Sequence, residues 1–456
     1  MVNPNTVLLI TVLASFSTPF MLSAVNIALP AMAPALGLDA MAMGWVSLSF
    51  LLASAALLVP MGRAADIFGR KRVFTAGFAI FTLASLFCGL AATPAQLLAG
   101  RVLQGAGSSM IFGTSVAILT SVFPPERRGK ALGWVSAAVY TGLSLGPSLG
   151  GLLVQYVSWR AIFLLNVPVG LFVLWLLRAK LAGAEWKGAE GERFDLPGAL
   201  LYAAALAGLM YGLSAVTTPA GGLTVLAGAA ALGAFFYRET LAPHPILNAR
   251  LFLQNKVFAF SNLAAFLNYS ATFAMGFLLS LYLQYAGGLA PREAGFILVV
   301  QPLLMVTFSP WAGRLSDRHD PGLIASLGMG LTAAGMLFFA WPEAGLPLWR
   351  VLAGLGVMGF GLALFAAPNT NAVMGSVEKR HYSVASATLA TMRVTGQMFS
   401  MAVVMDLFSL FVGKVRLGPD NYQGLSDAFG AGVWIFAALA AAGVLASLKR
   451  RRARIL

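Results

Sequence analysis

Charged residues are scarce in this chain: Asp, Glu, Lys and Arg make up 10% of its 456 residues, where soluble domains carry about 25%. Acids are the scarcer sign, 16 against 30 Lys and Arg. There is one cysteine, Cys88, so no intrachain disulfide can form, and its apolar neighbours assign it to packing. The three histidines, His244, His319 and His381, lie in loops far apart. Without an H-E-x-x-H or P-loop pattern, the chain is expected to be neither an enzyme nor a nucleotide-driven pump, and to hold no metal or cofactor. Alternating ten-residue strands are absent, which excludes an outer-membrane barrel. No Lys or Arg precedes the first apolar segment and no small-residue cleavage site ends it, so it reads as a retained helix instead of a secretory leader.

What is present is apolar length. The hydrophobic set supplies 59% of residues, the mean hydropathy is +0.82, and runs of about 20 apolar residues, enough to span a bilayer, recur along the chain. Fourteen spans are expected: 6–33, 44–62, 73–91, 96–120, 130–154, 161–178, 197–217, 222–237, 257–286, 292–312, 322–341, 347–373, 384–412 and 428–448. Of the 30 Lys and Arg, 23 fall in alternate loops and the C-terminal tail, and 5 in the intervening loops. By the positive-inside rule both termini are then cytoplasmic, in the inner membrane, and the net charge of +14 faces anionic lipid, not nucleic acid. The chain is expected to be an all-α polytopic membrane protein.

GRAADIFGRK from Gly62 is echoed by GRLSDRHD from Gly313, each after the second helix of a six-helix half once the seventh and eighth helices are set aside. This predicts an N-terminal bundle over 1–178, a linker with two additional helices over 179–256, and a C-terminal bundle over 257–456. Within the first loop, Gly62, Asp66, Gly69, Arg70 and Lys71 form G-x-x-x-D-x-x-G-R-K, where small residues permit a tight turn and the acid can cap a helix and pair with the bases. The fourth span carries R-x-x-Q-G as Arg101, Gln104 and Gly105. The fifth carries G-x-x-x-G-P-x-x-G-G as Gly142, Gly146, Pro147, Gly150 and Gly151, a spacing that lets helix backbones approach while the proline removes a donor.

These motifs, with WRAIFLLNVPVG from Trp159, resemble the major facilitator superfamily, and within it the fourteen-helix drug:proton antiporter family, over essentially the whole chain. The resemblance implies two six-helix bundles plus two extra helices, alternating access, and export by the fifth-helix motif. It implies conformational roles for Gly62, Asp66, Gly69, Arg70, Gly142, Gly146, Pro147 and Gly150, and for Gly313, Asp317 and Arg318 in the second copy. One departure stands in the first helix: MLSAVNIALP places Met21 where the family usually has an acid associated with proton coupling and cation recognition, while Asn26 keeps its place.

Charge at membrane depth is expensive, which directs attention to Arg101, Arg393 and Asp406. Arg393 and Gln397 are about 40° apart around their helix and Asp406 about 140° from Arg393, so the two charges do not share a face. Asp406 and Arg101 are the candidates for proton coupling. Asn262, Phe266, Tyr269 and Phe273 follow i, i+4, i+7, i+11 spacing and form one stripe, able to stack an aromatic solute or pack a neighbouring helix. Gln104, Tyr140, Gln301 and Asn369 complete the cavity candidates, each a hydrogen-bonding group that lipid leaves unsatisfied. The expected function is secondary export of small hydrophobic or amphipathic solutes in exchange for protons, by a monomer. A dedicated metabolite or organic-anion exporter, facilitative in the limit, is the alternative, and a non-transporting sensor or membrane enzyme the remote one.

Overall fold

A computed structural model describes residues 3–189, 191–216, 218–242, 246, 252, 254–340, 346–378, 382–418 and 421–455; His244 and His381 lie outside them. Each expected span is mainly helical among the described residues. The first six spans are α1 (Pro4–Leu36), α2 (Ala40–Phe68), α3 (Arg70–Gly89), α4 (Pro94–Val122), α5 (Pro125–Tyr156) and the broken pair α6 (Trp159–Leu164) and α7 (Asn166–Lys180). Then follow α8 (Leu196–Leu213), α9 (Pro219–Leu241) and α10 (Lys256–Leu281), which ends in a π turn, Tyr282–Ala286. The remainder is α11 (Pro291–Leu298), α12 (Val300–Arg318), α13 (Pro321–Leu337), α14 (Leu348–Gly375), α15 (Tyr382–Phe411) and α16 (Tyr422–Ile455). Among the described residues, 13 helical segments are long and apolar enough to cross a membrane, and α13 is a shorter apolar helix.

Two expected spans are interrupted, and proline chemistry explains both. Pro168 and Pro302 carry no N–H, so the carbonyls four residues earlier, on Leu164 and Leu298, lose their helical donors; the helices break at Leu165 and Val299. A third difference lies in α9, which runs to Leu241 instead of ending at 237. The longer helix carries Arg238 and Glu239 with it, and Arg238 pairs with Asp195 at 2.6 Å. Glu239, expected in a loop, is 4% exposed.

By contacts the chain divides into two compact units: Met1–Leu38 with Trp45–Leu209 and Ala227–Ile246, and Asp39–Gly44 with Met210–Leu226 and Leu247–Leu456. Within the first, glycines set the helix contacts. A Cβ on Gly77 of α3 would stand 2.9 Å from the Gly107 carbonyl oxygen of α4, and one on Gly142 of α5 would stand 2.6 Å from the Phe16 carbonyl oxygen of α1. Within the second the same devices recur. A Cβ on Gly328 of α13 would be 2.5 Å from the Gly361 carbonyl oxygen of α14, and one on Gly396 of α15 would be 2.6 Å from that of Phe266 on α10. The sequence repeat at Gly62 and Gly313 is therefore accompanied by a repeat of backbone-on-backbone packing.

Candidate functional site

In the first unit the polar candidates converge on α2. The buried Asn26 side chain accepts the Ser47 hydroxyl at 3.0 Å, and the preceding residue, Val46, gives its carbonyl to Arg101 Nε at 2.9 Å. Consecutive residues of α2 thus bind α1 and α4. Arg101 is fully buried. Its Nη1 donates to Gln104 Oε1 at 2.9 Å, its guanidinium lies 4.4 Å from the Phe50 ring centroid, and Gln104 Nε2 donates to Ser85 Oγ at 2.9 Å. Nη2 has no hydrogen-bond partner among the described residues. Desolvating a guanidinium without a carboxylate is costly, and here a carbonyl, an amide oxygen and a ring face offset part of that cost. Gly105 makes the arrangement possible, because a Cβ there would meet the Phe50 carbonyl oxygen at 2.3 Å. Met21 is also fully buried, and Tyr140 is half-buried.

The second unit assembles an aromatic and cationic group. Tyr269 of α10 faces two neighbours: its ring centroid is 6.4 Å from that of Phe365, and the Arg393 guanidinium lies 5.2 Å from it. Phe266 meets Phe399 in a tilted pair with ring centroids 5.7 Å apart. The close approach at Gly396 sets α15 against this face of α10, so Phe266, Tyr269 and Arg393 are brought together. Asn262 is separated from them in role: fully buried, its Nδ2 donates to its own helix at the Phe258 carbonyl, 2.9 Å away. Asn369 is buried and bridges to the Ser261 carbonyl at 3.2 Å. Phe273, Gln301 and Gln397 are half-buried. Asp406 lies 13 residues beyond Arg393 on α15, about 20 Å along a helix axis, and its Oδ1 has no hydrogen-bond partner among the described residues.

The α5 motif is seated on α1 through Gly142, Gly146 and Gly150, which approach Phe16, Ser23 and Ala24. Pro147 has no N–H to give the Leu143 carbonyl, and the Ser23 hydroxyl of α1 donates to that carbonyl instead, at 3.2 Å. In the α2–α3 turn, Asp66 accepts from Arg70 Nε at 2.8 Å, and Arg70 Nη1 reaches Ser121 Oγ of α4 at 2.8 Å. Asp66 does not cap α3. Gly69 holds the N-cap position at φ 119°, and the carboxylate that accepts the Lys71 N–H, at 2.8 Å, belongs to Glu185. In the second copy Asp317 accepts from Asn371 Nδ2 at 3.2 Å.

Sequence reasoning passed over Ser47, Ser85 and Phe50, which make the Arg101 environment, and Glu185, whose only signal is an acid in a basic loop. It also passed over Asn268 of α10, fully buried with neither amide atom hydrogen-bonded among the described residues.

The sequence model of the Major Facilitator Superfamily matches residues 11–238 and 261–455. The riboflavin transporter RibZ of Clostridioides difficile (strain 630) is 28% identical over 93% of this chain and 91% of its own length. The cephamycin export protein CmcT of Amycolatopsis lactamdurans is 34% identical over 88% and 84%, and the multidrug resistance protein Stp of Mycobacterium tuberculosis (strain H37Rv) 30% identical over 88% and 76%. A crystal structure of a peptide transporter POT mutant in complex with sulfate superposes with a TM-score of 0.69 at 16% identity, covering 99% of this chain and 95% of that one, which bears on the fold alone. Together with the all-helical architecture, these matches place the chain in the Major Facilitator Superfamily: it is a membrane transporter, not an enzyme.

Proposed function

We infer that this transporter exports small hydrophobic or amphipathic solutes by alternating access, with proton antiport as its energy source. The observation that carries the reading is the α5 seam: Gly142, Gly146 and Gly150 lie against α1, and the carbonyl orphaned by Pro147 is satisfied from α1. Such a seam keeps its polar groups paired while allowing the two helices to slide. Relatives named as cephamycin exporter and multidrug resistance protein support the direction. The proposed orientation has both termini in the cytoplasm of a cell with the chain in its inner membrane, and the transporting bundles are residues 1–178 and 257–456.

Arg101 without a carboxylate partner among the described residues, Arg393 over Tyr269 and Met21 in place of an acid favour neutral or anionic solutes over lipophilic cations. Asp406 is the proposed proton-carrying group. The test is efflux from cells stripped of their own pumps, loaded with ethidium, a neutral dye or carboxyfluorescein, with and without a protonophore. Several-fold faster efflux that collapses with protonophore is expected, larger for the neutral and anionic dyes. Equal retention in cells with and without the protein would refute the multidrug reading.

A second reading rests on the riboflavin transporter among the relatives: a dedicated carrier of a planar metabolite, stacked against Tyr269 and Phe266. Efflux of one such solute alone, indifferent to protonophore, would establish it.

A further inference from the structure

The stretch that joins α7 to α8, residues 181–195, is not a free connection. An extended chain of fifteen residues could span about 50 Å, yet the described residues of this one lie against the α2–α3 turn. Its backbone pairs with the turn: the Gly188 and Ala189 N–H groups both donate to the Asp66 carbonyl at 3.0 Å, and the Arg70 N–H donates to the Trp186 carbonyl at 2.8 Å. Its carboxylates follow. Glu185 accepts the Lys71 N–H at 2.8 Å and lies 3.7 Å from Arg72, while Glu192 pairs with Arg63. Lys71 Nζ donates to the Leu181 carbonyl at the start of the stretch, and at its end the Phe194 ring meets Phe68 at 6.3 Å.

Two glycines are fitted to this contact. At Gly69 a Cβ would sit 2.5 Å from the Glu185 carboxyl carbon, and at Gly188 one would sit 2.9 Å from Asp66 Oδ1. Asp195, the last residue, accepts the Gly198 N–H at the start of α8 at 3.0 Å and pairs with Arg238 of α9. One continuous set of bonds therefore runs from the α2–α3 turn to the beginning of the additional helix pair. The second copy of the turn is dressed differently: Asp317 is met by Asn371, and Asp320 caps α13 through the Gly322 N–H at 2.6 Å.

We propose that residues 181–189 and 191–195 form a latch on the α2–α3 turn, closed by Glu185 and Glu192 against Lys71, Arg72 and Arg63, which anchors α8 and α9 to the first bundle and sets the rate of the transport cycle. Gly69, a motif glycine of the turn, then serves a second purpose beyond the turn itself: it leaves space for the latch. Because the bonds lie at the surface and several are between charges, the latch is sensitive to ionic strength.

The experiment is hydrogen exchange of the full chain in lipid nanodiscs, comparing the unmodified protein with Glu185→Ala/Glu192→Ala and with the exchanged pair Arg63→Glu/Glu192→Arg. The double alanine variant is expected to exchange at least tenfold faster in peptides spanning 64–74, 181–195 and the first turn of α8, and to be cut faster by trypsin at Lys187 and Arg193. Peptides from α1 and α10 stay unchanged, the exchanged pair regains protection, and salt raised to about 1 M mimics the variant. Carboxyfluorescein efflux by the double variant is expected to differ at least threefold from the unmodified protein at equal abundance. Unaltered exchange in the double variant overturns the latch, and faster exchange with unaltered efflux overturns its control of the cycle. If the unmodified protein exports none of ethidium, the neutral dye and carboxyfluorescein, the multidrug reading fails instead, and the latch stands or falls on exchange and proteolysis alone.

Discussion

Arg101 and Asn268 pose opposite problems for single residues inside a helix bundle. Arg101 is fully buried and placed by three partners, the Val46 carbonyl, Gln104 and the Phe50 ring. Hydrogen bonds to a charged group contribute about 1.5–3 kcal/mol each. Arg101→Ala leaves the Val46 carbonyl and Gln104 short of a donor, and Arg101→Lys keeps the charge but loses the planar fork. Both should lower thermal stability, alanine more. Cys88, single and buried, supplies the readout, since the temperature at which it reacts with a thiol-specific fluorophore marks unfolding. An unshifted reaction temperature in Arg101→Ala would show that the guanidinium holds nothing together. Asn268 is the reverse case. An amide buried without partners destabilises, so Asn268→Leu should raise the reaction temperature, by the equivalent of about 1–3 kcal/mol. A fall in transport accompanying that rise would mean that the amide serves the solute.

At the scale of elements, the prolines and glycines decide how the helices meet. Pro147 would leave the Leu143 carbonyl unsatisfied in a medium without water, and the Ser23 hydroxyl corrects this from α1. Ser23→Ala should therefore cost about 1 kcal/mol, measured by the same thermal assay, while a Ser23→Thr variant keeps the donor. Gly146→Val is the harsher change. A Cβ alone would stand 2.6 Å from that of Ser23, so α5 must move away from α1, and overpacking of this kind costs about 1–3 kcal/mol. Export should be lost in this variant even where the protein remains folded in the membrane, because the seam, not only its stability, is altered. Normal efflux by folded Gly146→Val would detach the motif from the transport cycle.

For the whole molecule, the two units repeat one construction. Gly107 with Gly77 and Gly361 with Gly328 close equivalent helix pairs, and Gly142 on Phe16 is matched by Gly396 on Phe266. Gly107→Val and Gly361→Val are accordingly expected to destabilise by comparable amounts, and a large inequality in their thermal shifts would argue against a shared design. Much of this was legible in the chain. Hydropathy sums along the sequence, so the order and approximate limits of the apolar helices follow from local composition, and the Gly142–Gly151 motif announces a close helix contact by its spacing. Other features were not legible. Nothing in the stretch around Gly396 marks it as the counterpart of Gly142, because the equivalence lies in which backbone it faces. The helix breaks at Leu165 and Val299 follow from Pro168 and Pro302 only once the neighbouring carbonyls are counted. Sequence by itself therefore determined the solvent, the helices and the family of this protein, since all three depend on local composition and spacing. Tertiary structure alone decided that Arg101 is held by α2, that Tyr269 receives Arg393, and that Glu185 instead of Asp66 caps α3. Those partners are far apart in the chain, and their meeting is set by the rotation and depth of each helix, which no local pattern encodes.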